Sequence, residues 1–172
     1  MRRLLLIGVL VWLAAVPVIA QETPRAEVFA GYSVVPTTAT TLHGWAASVN
    51  GNINTLFGIK GDFSGHYKTF AGAEVKLHTF TFGPQISYRK NKNVVVFAHA
   101  LFGGAHASAG FDGLSVSNTS FAANLGAGLD WVPHKNVAIR AIQADVLITR
   151  FGTTINGDAR ISVGVVFRFG SK

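Results

Sequence analysis

The chain has 172 residues, enough for one domain with a real core and too few for two. Hydrophobic residues make up 49% and charged ones only 13%, about half the usual quarter, which is too little charge to keep the surface of a soluble β-protein wet. Gly (19) and Phe (13) are abundant, and with no Cys there is neither a disulfide framework nor a thiolate metal site.

The first predicted element is an export segment. Arg2 and Arg3 form a basic n-region, Leu4 to Val16 an apolar h-region, and Val18-Ile19-Ala20 a cleavage site before Gln21. Pro17 interrupts the run, which is short for a membrane span. Residues 1–20 are therefore read as a cleavable signal peptide and 21–172 as the mature domain. Without Arg2 and Arg3 the formal charge falls from +7 to +5. An exported chain without cysteine suits a bacterial envelope. After residue 20 no uninterrupted apolar run approaches 18 residues, which argues against a helical membrane protein.

Strands are predicted at 26–35, 42–50, 54–67, 75–90, 94–105, 119–132, 137–149 and 158–169. Most alternate with a period of two, one face apolar and the other polar. Phe57, Ile59, Phe63 and Tyr67 oppose Lys60, Asp62, Ser64 and His66; Phe80, Phe82, Ile86 and Tyr88 oppose Thr79, Thr81, Gln85, Ser87 and Arg89. In the last strand Ile161, Val163, Val165, Phe167 and Phe169 oppose Arg160, Ser162, Gly164, Val166 and Arg168. The fifth strand is apolar on both parities apart from His99. The seventh puts Arg140 on one parity and Gln143 and Asp145 on the other, and a bulge near Ala141–Ile142 would bring all three to one face. Pro84 removes one ladder donor from the fourth strand.

The connections alternate. "NGNIN", "KNKN" and "PHKN" are tight, whereas "GHYKTFAGA", "HASAGFDGLSVSN" and "RFGTTINGD" are expected to be long outer loops, with "PTTATT" intermediate. An even number of antiparallel strands with short turns at one end and longer loops at the other is the plan of an outer-membrane barrel. The fold class expected is all-β: an eight-stranded antiparallel up-and-down transmembrane β-barrel. The apolar faces then meet lipid. Trp45, Tyr67 and Phe121 toward the loop ends, and Tyr88, Trp131, Phe167 and Phe169 toward the turn ends, are the expected aromatic girdle. An open sheet edge cannot survive in hydrocarbon, so strand one must pair with strand eight. By parity Glu27 and Arg168 then approach each other across that seam. Both termini lie on the tight-turn side, which is expected to face the periplasm.

The polar face predicts a lumen charge network of Glu27, Lys60, Asp62, Arg89, Asp130, Arg140, Asp145, Arg160 and Arg168. An eight-stranded barrel is just wide enough for its own side chains, and charges inside it must be paired. Asp130 and Arg140, near the "PHKN" turn, form the second expected pair.

Several segments carry a resemblance: "AEVFAGYSVV" after the signal segment, "TFGPQISYR" before a tight turn, "FAHALFGGAH", and "NVAIRAIQADVLITRF" leading to "GVVFRFG". Over residues 26–170 they resemble the small outer-membrane β-barrel family, the OmpA-type and OmpX-type barrels. The resemblance implies an eight-stranded barrel in the outer membrane of a Gram-negative-type cell. Two departures stand out. Phe169 is followed by Gly170-Ser171-Lys172, where the family ends on an aromatic. No peptidoglycan-binding segment follows the barrel, so no cell-wall tether is expected.

Chemistry-bearing residues offer little else. His43, His66, His78, His99, His106 and His134 show no metal-binding spacing and are expected to be solvated or interfacial. Asp62, Ser64 and His66 share a parity, but it is the lumen face and no nucleophile elbow is present. "GAG" at Gly126–Gly128 lacks the helix of a phosphate loop and is expected to make room for lumen side chains. No cofactor or metal is expected, and no concentrated basic stripe suggests nucleic acid. The expected partners are outer-membrane lipid, lipopolysaccharide phosphates at Lys68, Lys76 and Arg150, and the barrel-assembly machinery, with a monomeric state. The expected function is a non-enzymatic structural or surface-interaction barrel with a plugged lumen. Its rivals are a narrow low-conductance pore, a lipid-modifying barrel enzyme, and a soluble lipocalin-like barrel with Ile161, Val163 and Phe167 turned inside.

Overall fold

The computed structural model describes residues 23–37, 40–70, 73–111, 114–151 and 154–170; residues 1–20, read above as a signal peptide, lie outside these. Eight strands form in chain order: β1 (Ala26–Pro36), β2 (Thr41–Asn52), β3 (Phe57–Phe70), β4 (Ala73–Asn91), β5 (Val94–Phe111), β6 (Leu114–His134), β7 (Val137–Phe151) and β8 (Thr154–Phe169). Each pairs antiparallel with the next, and β8 pairs with β1 from Ala26↔Phe169 to Val34↔Ile161, closing the barrel. Closure leaves no unpaired strand edge, which is the condition for a sheet to sit in hydrocarbon. No helix among the described residues is long and apolar enough to cross a membrane.

The distribution of side chains decides which face is which. Tyr32, Phe57, Phe63, Phe80, Phe82, Leu125 and Val146 are exposed on the outer wall, while Lys60, Asp62, Asp145 and Arg160 are buried inside it. Ile161, Val163 and Phe167 also point outward, at 39%, 42% and 46% exposure, so the lipocalin-like arrangement is excluded. In β5 the ambiguous run resolves with Val95, Phe97, His99 and Leu101 inside and Val96 and Phe102 outside.

β7 carries one extra residue at Ala141–Ile142. Arg140 pairs with Gly164 and Gln143 with Ser162, so two residues of β7 stand against one of β8. Arg140, Gln143 and Asp145 all face the lumen as a result. Pro84 is exposed on β4; the register to β5 continues on either side of it, from Phe82↔Phe102 to Gln85↔His99.

The expected long loops are different in the structure. β3 and β4 stay paired up to Phe70↔Ala73, β5 and β6 up to Phe111↔Leu114, and β7 and β8 up to Phe151↔Thr154. The segments read as loops are therefore mostly paired strand. Their sequences mix Gly with Ala, Ser, Thr and other polar residues and show no clean alternation, yet each hairpin partner supplies a full set of backbone donors and acceptors. The connections are therefore no longer at the end where these hairpins run on (after Pro36, Phe70, Phe111 and Phe151, here the extended end) than at the opposite, tight-turn end (after Asn52, Asn91 and His134), and the expected contrast in loop length is not found.

Candidate functional site

The lumen is the best-defined polar site. At its tight-turn end Glu27 accepts from Arg89 Nη2 at 3.2 Å and from Arg168 Nε at 3.4 Å. Asn50 and Asn52 also donate to Glu27 Oε2, at 3.1 and 3.2 Å. A carboxylate with this many donors is stabilised as an anion despite its burial. Arg89 Nη1 also donates to the Thr55 carbonyl at 2.7 Å, tying β4 to the turn after β2.

Asp130 and Arg140, register partners on β6 and β7, form a two-pronged pair: Nε to Oδ1 at 2.8 Å and Nη2 to Oδ2 at 3.0 Å. The Arg140 guanidinium also lies over two rings, 4.4 Å from the Phe29 centroid and 4.3 Å from the Phe97 centroid. Planar, weakly hydrated guanidinium suits such a slot better than ammonium would.

Arg160 is the centre of the second cluster. It is fully buried and reaches Asp62 Oδ1 with Nη1 at 2.8 Å and Asp145 Oδ2 with Nη2 at 2.7 Å. Asp62 is on β3 and Arg160 on β8, so this pair crosses the lumen. His99 Nε2 lies 3.0 Å from Asp145 Oδ1, and Lys60 Nζ lies 3.7 Å from Asp62 Oδ2. Gln143 links the clusters: its Oε1 accepts from Arg140 Nη1 at 2.7 Å and Lys60 Nζ at 3.3 Å, while its Nε2 donates to Asp145 at 2.8 Å. All nine lumen residues expected from the sequence are buried. Glu27, Arg89 and Arg168 form one group, Asp130 and Arg140 a pair, and Lys60, Asp62, Asp145 and Arg160 another group.

The glycines opposite this network are spatial requirements. A methyl group at Gly126 would run into Asp145 Oδ1, and one at Gly128 into the Phe97 ring.

Sequence reasoning left out Gln143, His99, Asn50, Asn52, Phe29 and Phe97 from the network. Asn50 and Asn52 reach Glu27 from the neighbouring strand, Gln143 bonds Arg140 and Asp145 on its own strand and Lys60 across the lumen, and His99, Phe29 and Phe97 meet groups on strands that are not their neighbours. The histidines also divide: His66 and His99 are buried in the lumen, whereas His43, His106 and His134 are exposed and His78 is half-buried. The shear of the barrel turns His66 toward Ser33, with Nε2 at 2.9 Å from Oγ, not toward Ser64. Ser64 bonds Thr79 at 2.6 Å and Asp62 is held by Arg160, so Asp62, Ser64 and His66 assemble no catalytic triad. Among the described residues no group of three or more His, Asp or Glu could hold a metal ion. The aromatics expected as a girdle, Trp45, Tyr67, Tyr88, Phe121, Trp131, Phe167 and Phe169, are all exposed on the outer wall.

A closed eight-stranded barrel, apolar outside and charged inside, is the geometry of a barrel solvated by lipid. Residues 6–169 match the family described as outer membrane protein beta-barrel domain. The chain belongs to that family. It is an outer-membrane barrel.

Among solved structures, Ail, the attachment invasion locus protein of Yersinia pestis, is 23% identical with a TM-score of 0.58, covering 84% of this chain and 99% of Ail. Ail has also been solved in complex with the heparin analogue sucrose octasulfate. Neisserial surface protein A is 17% identical with a TM-score of 0.62, covering 84% of this chain and 96% of its own. The N-terminal β-barrel domain of Pseudomonas aeruginosa OprF is 15% identical with a TM-score of 0.57, covering 87% and 100%. At these identities the likeness concerns the fold alone. No curated protein sequence matches.

Proposed function

We propose that this outer-membrane barrel is a non-enzymatic, plugged cylinder that acts as a structural or surface-interaction protein through its extended end. Its termini lie in the periplasm, and it is a monomer inserted by the barrel-assembly machinery. The observation that carries the reading is Arg160, buried and bound to Asp62 on β3 and Asp145 on β7, so that one side chain ties the wall across the lumen. A barrel of eight strands has no width to spare around such a tie. Arg140, clamped between Phe29 and Phe97, supports the same reading at the tight-turn end. Lipid is the partner of the outer wall. Lys76 and Arg150, toward the extended end, supply positive charge where lipopolysaccharide phosphates would lie.

Planar-bilayer recording tests the plug. Silence is expected, and stable discrete openings would replace this reading with a narrow pore. Lipid A mass profiles from cells with and without the protein should be identical; a modified species would make it an enzyme. Orientation is tested separately with Ser117→Cys, since the chain has no other cysteine. A membrane-impermeant maleimide should label it on intact cells, and labelling only after permeabilisation would reverse the topology.

A further inference from the structure

The tight-turn mouth of the lumen holds more positive charge than its acids answer. Arg168 is exposed over only 9% of its side chain, and that side chain makes one hydrogen bond, from Nε to Glu27 Oε1 at 3.4 Å. Its two Nη nitrogens donate to nothing among the described residues. Glu27 is already engaged, because Oε2 accepts from Arg89, Asn50 and Asn52. Arg89 Nε is also buried without a partner.

Two further cations stand at the same rim. Arg25 N donates to the Phe169 carbonyl at 2.9 Å, continuing the seam one rung past Ala26↔Phe169. Arg25 is thus diagonal to Arg168 on the parity of Glu27, a separation of about 7–8 Å that long side chains span. Its stem packs on Gly170, whose φ of +66° suits a residue without a side chain. A methyl group there would stand 3.2 Å from Arg25 Cβ, Cγ and Cδ. The Arg25 side chain is exposed and makes no ion pair among the described residues. On the other flank the Asn136 carbonyl accepts from Arg168 N at 2.8 Å, which sets the exposed Lys135 beside the mouth. Among the described residues no exposed carboxylate stands at this end. Buried guanidinium groups are costly when no anion takes their donors.

We propose that this mouth binds one phosphate group, with its oxygens on the Arg168 Nη fork and Arg25 and Lys135 beside it. Arg25, Arg89, Arg168 and Lys135 face Glu27 alone, so a group carrying about −1.5 to −2 balances the mouth better than a singly charged carboxylate. A planar guanidinium fork also matches two phosphate oxygens. The ligand is inorganic phosphate or a soluble phosphate monoester. The fork lies on the lumen side of β8, and a diacyl lipid against Phe167 and Phe169 would have the wall between its phosphate and the fork. The site depends neither on the orientation nor on the closed lumen proposed above.

The experiment is ³¹P NMR of inorganic phosphate titrated with the barrel purified in a maltoside detergent, at constant ionic strength. Wild type should bind phosphate about tenfold more tightly than acetate, read by competition, the factor expected for roughly one extra charge-assisted hydrogen bond. Arg25→Gln, at an exposed position, should fold and weaken phosphate binding by about tenfold. Arg168→Lys keeps the charge and removes the fork; it should lose the preference for phosphate while keeping heat-modifiable gel migration. Lys76→Gln, at the opposite end, should bind as wild type does. An unbroadened phosphate line with wild type, acetate competing on equal terms, or undiminished binding in folded Arg25→Gln and Arg168→Lys overturns the proposal. Displacement of phosphate by an equal concentration of water-soluble short-chain phosphatidylglycerol would give the mouth to lipid headgroups and overturn it too.

Discussion

Glu27 Oε1 and Arg168 Nε meet at 3.4 Å across the seam where the first and last strands join. The two residues are 141 positions apart in the chain and are direct register partners in the barrel. Arg89 holds the same carboxylate from β4. The seam is thus fastened by side chains as well as by backbone bonds.

Glu27→Gln leaves Arg89 and Arg168 facing each other without their shared anion. It should lower barrel stability by about 3 kcal/mol, the usual cost of a stranded buried charge. Arg168→Met should cost less, because Arg89 still neutralises Glu27. Urea unfolding in detergent or bilayer, followed by gel migration, gives both midpoints. Equal midpoints for the two variants would contradict this arrangement.

Arg160→Met strands Asp62 and Asp145 together and should cost about 3–5 kcal/mol. The quadruple variant Lys60→Met/Asp62→Asn/Asp145→Asn/Arg160→Met should recover much of that loss, since Lys60 is removed together with its partner Asp62 and no unpaired charge remains. A recovery of this kind is non-additive by construction and is read as a coupling energy. Additive losses would mean that Arg160 does not hold the two carboxylates.

Deleting Ala141 removes the bulge in β7. Everything between the "PHKN" turn and the deletion must then exchange faces, or the rest of the strand must. In the first case Arg140 meets the lipid interface, which costs about 0–1 kcal/mol there, and the larger loss is that Asp130 is left buried without its partner, at about 3 kcal/mol. The deletion should abolish the compact, heat-modifiable form. Substituting Ala141→Val keeps the residue count and points to lipid, so it should be tolerated.

Gly126→Ala and Gly128→Ala should each cost about 1–3 kcal/mol, because a methyl group overlaps Asp145 in one case and Phe97 in the other. Phe97→Leu should partly rescue Gly128→Ala and do nothing for Gly126→Ala. Gly61→Ala is the control. It faces outward, its nearest new neighbour would be Phe63 at 3.9 Å, and it should leave the unfolding midpoint unchanged.

The groups that build the lumen were readable because each strand declares its own faces. Lys60, Asp62 and Arg160 stood on polar parities, and the bulge at Ala141–Ile142 followed from requiring Arg140, Gln143 and Asp145 to share one face. Phe29 shares the parity of Glu27, and Phe97 lies in a strand that is apolar on both parities. Nothing along the chain marked them as partners of Arg140, since their strands are not neighbours of β7. The outer hairpin extensions were read as loops because their mixed Gly and polar sequences show no clean alternation, although their backbones pair like any other.

The chain alone determined the number of strands, which side of most of them meets lipid, and that the first must join the last. The reason is that a period of two and the cost of bare backbone in hydrocarbon both act locally on every strand. Only the closed structure decided that Arg160 reaches Asp62, that Arg140 lies between two aromatic rings, and that His66 turns to Ser33. Those contacts depend on the stagger accumulated from strand to strand around the cylinder, which sets the relative heights of side chains three and four strands apart.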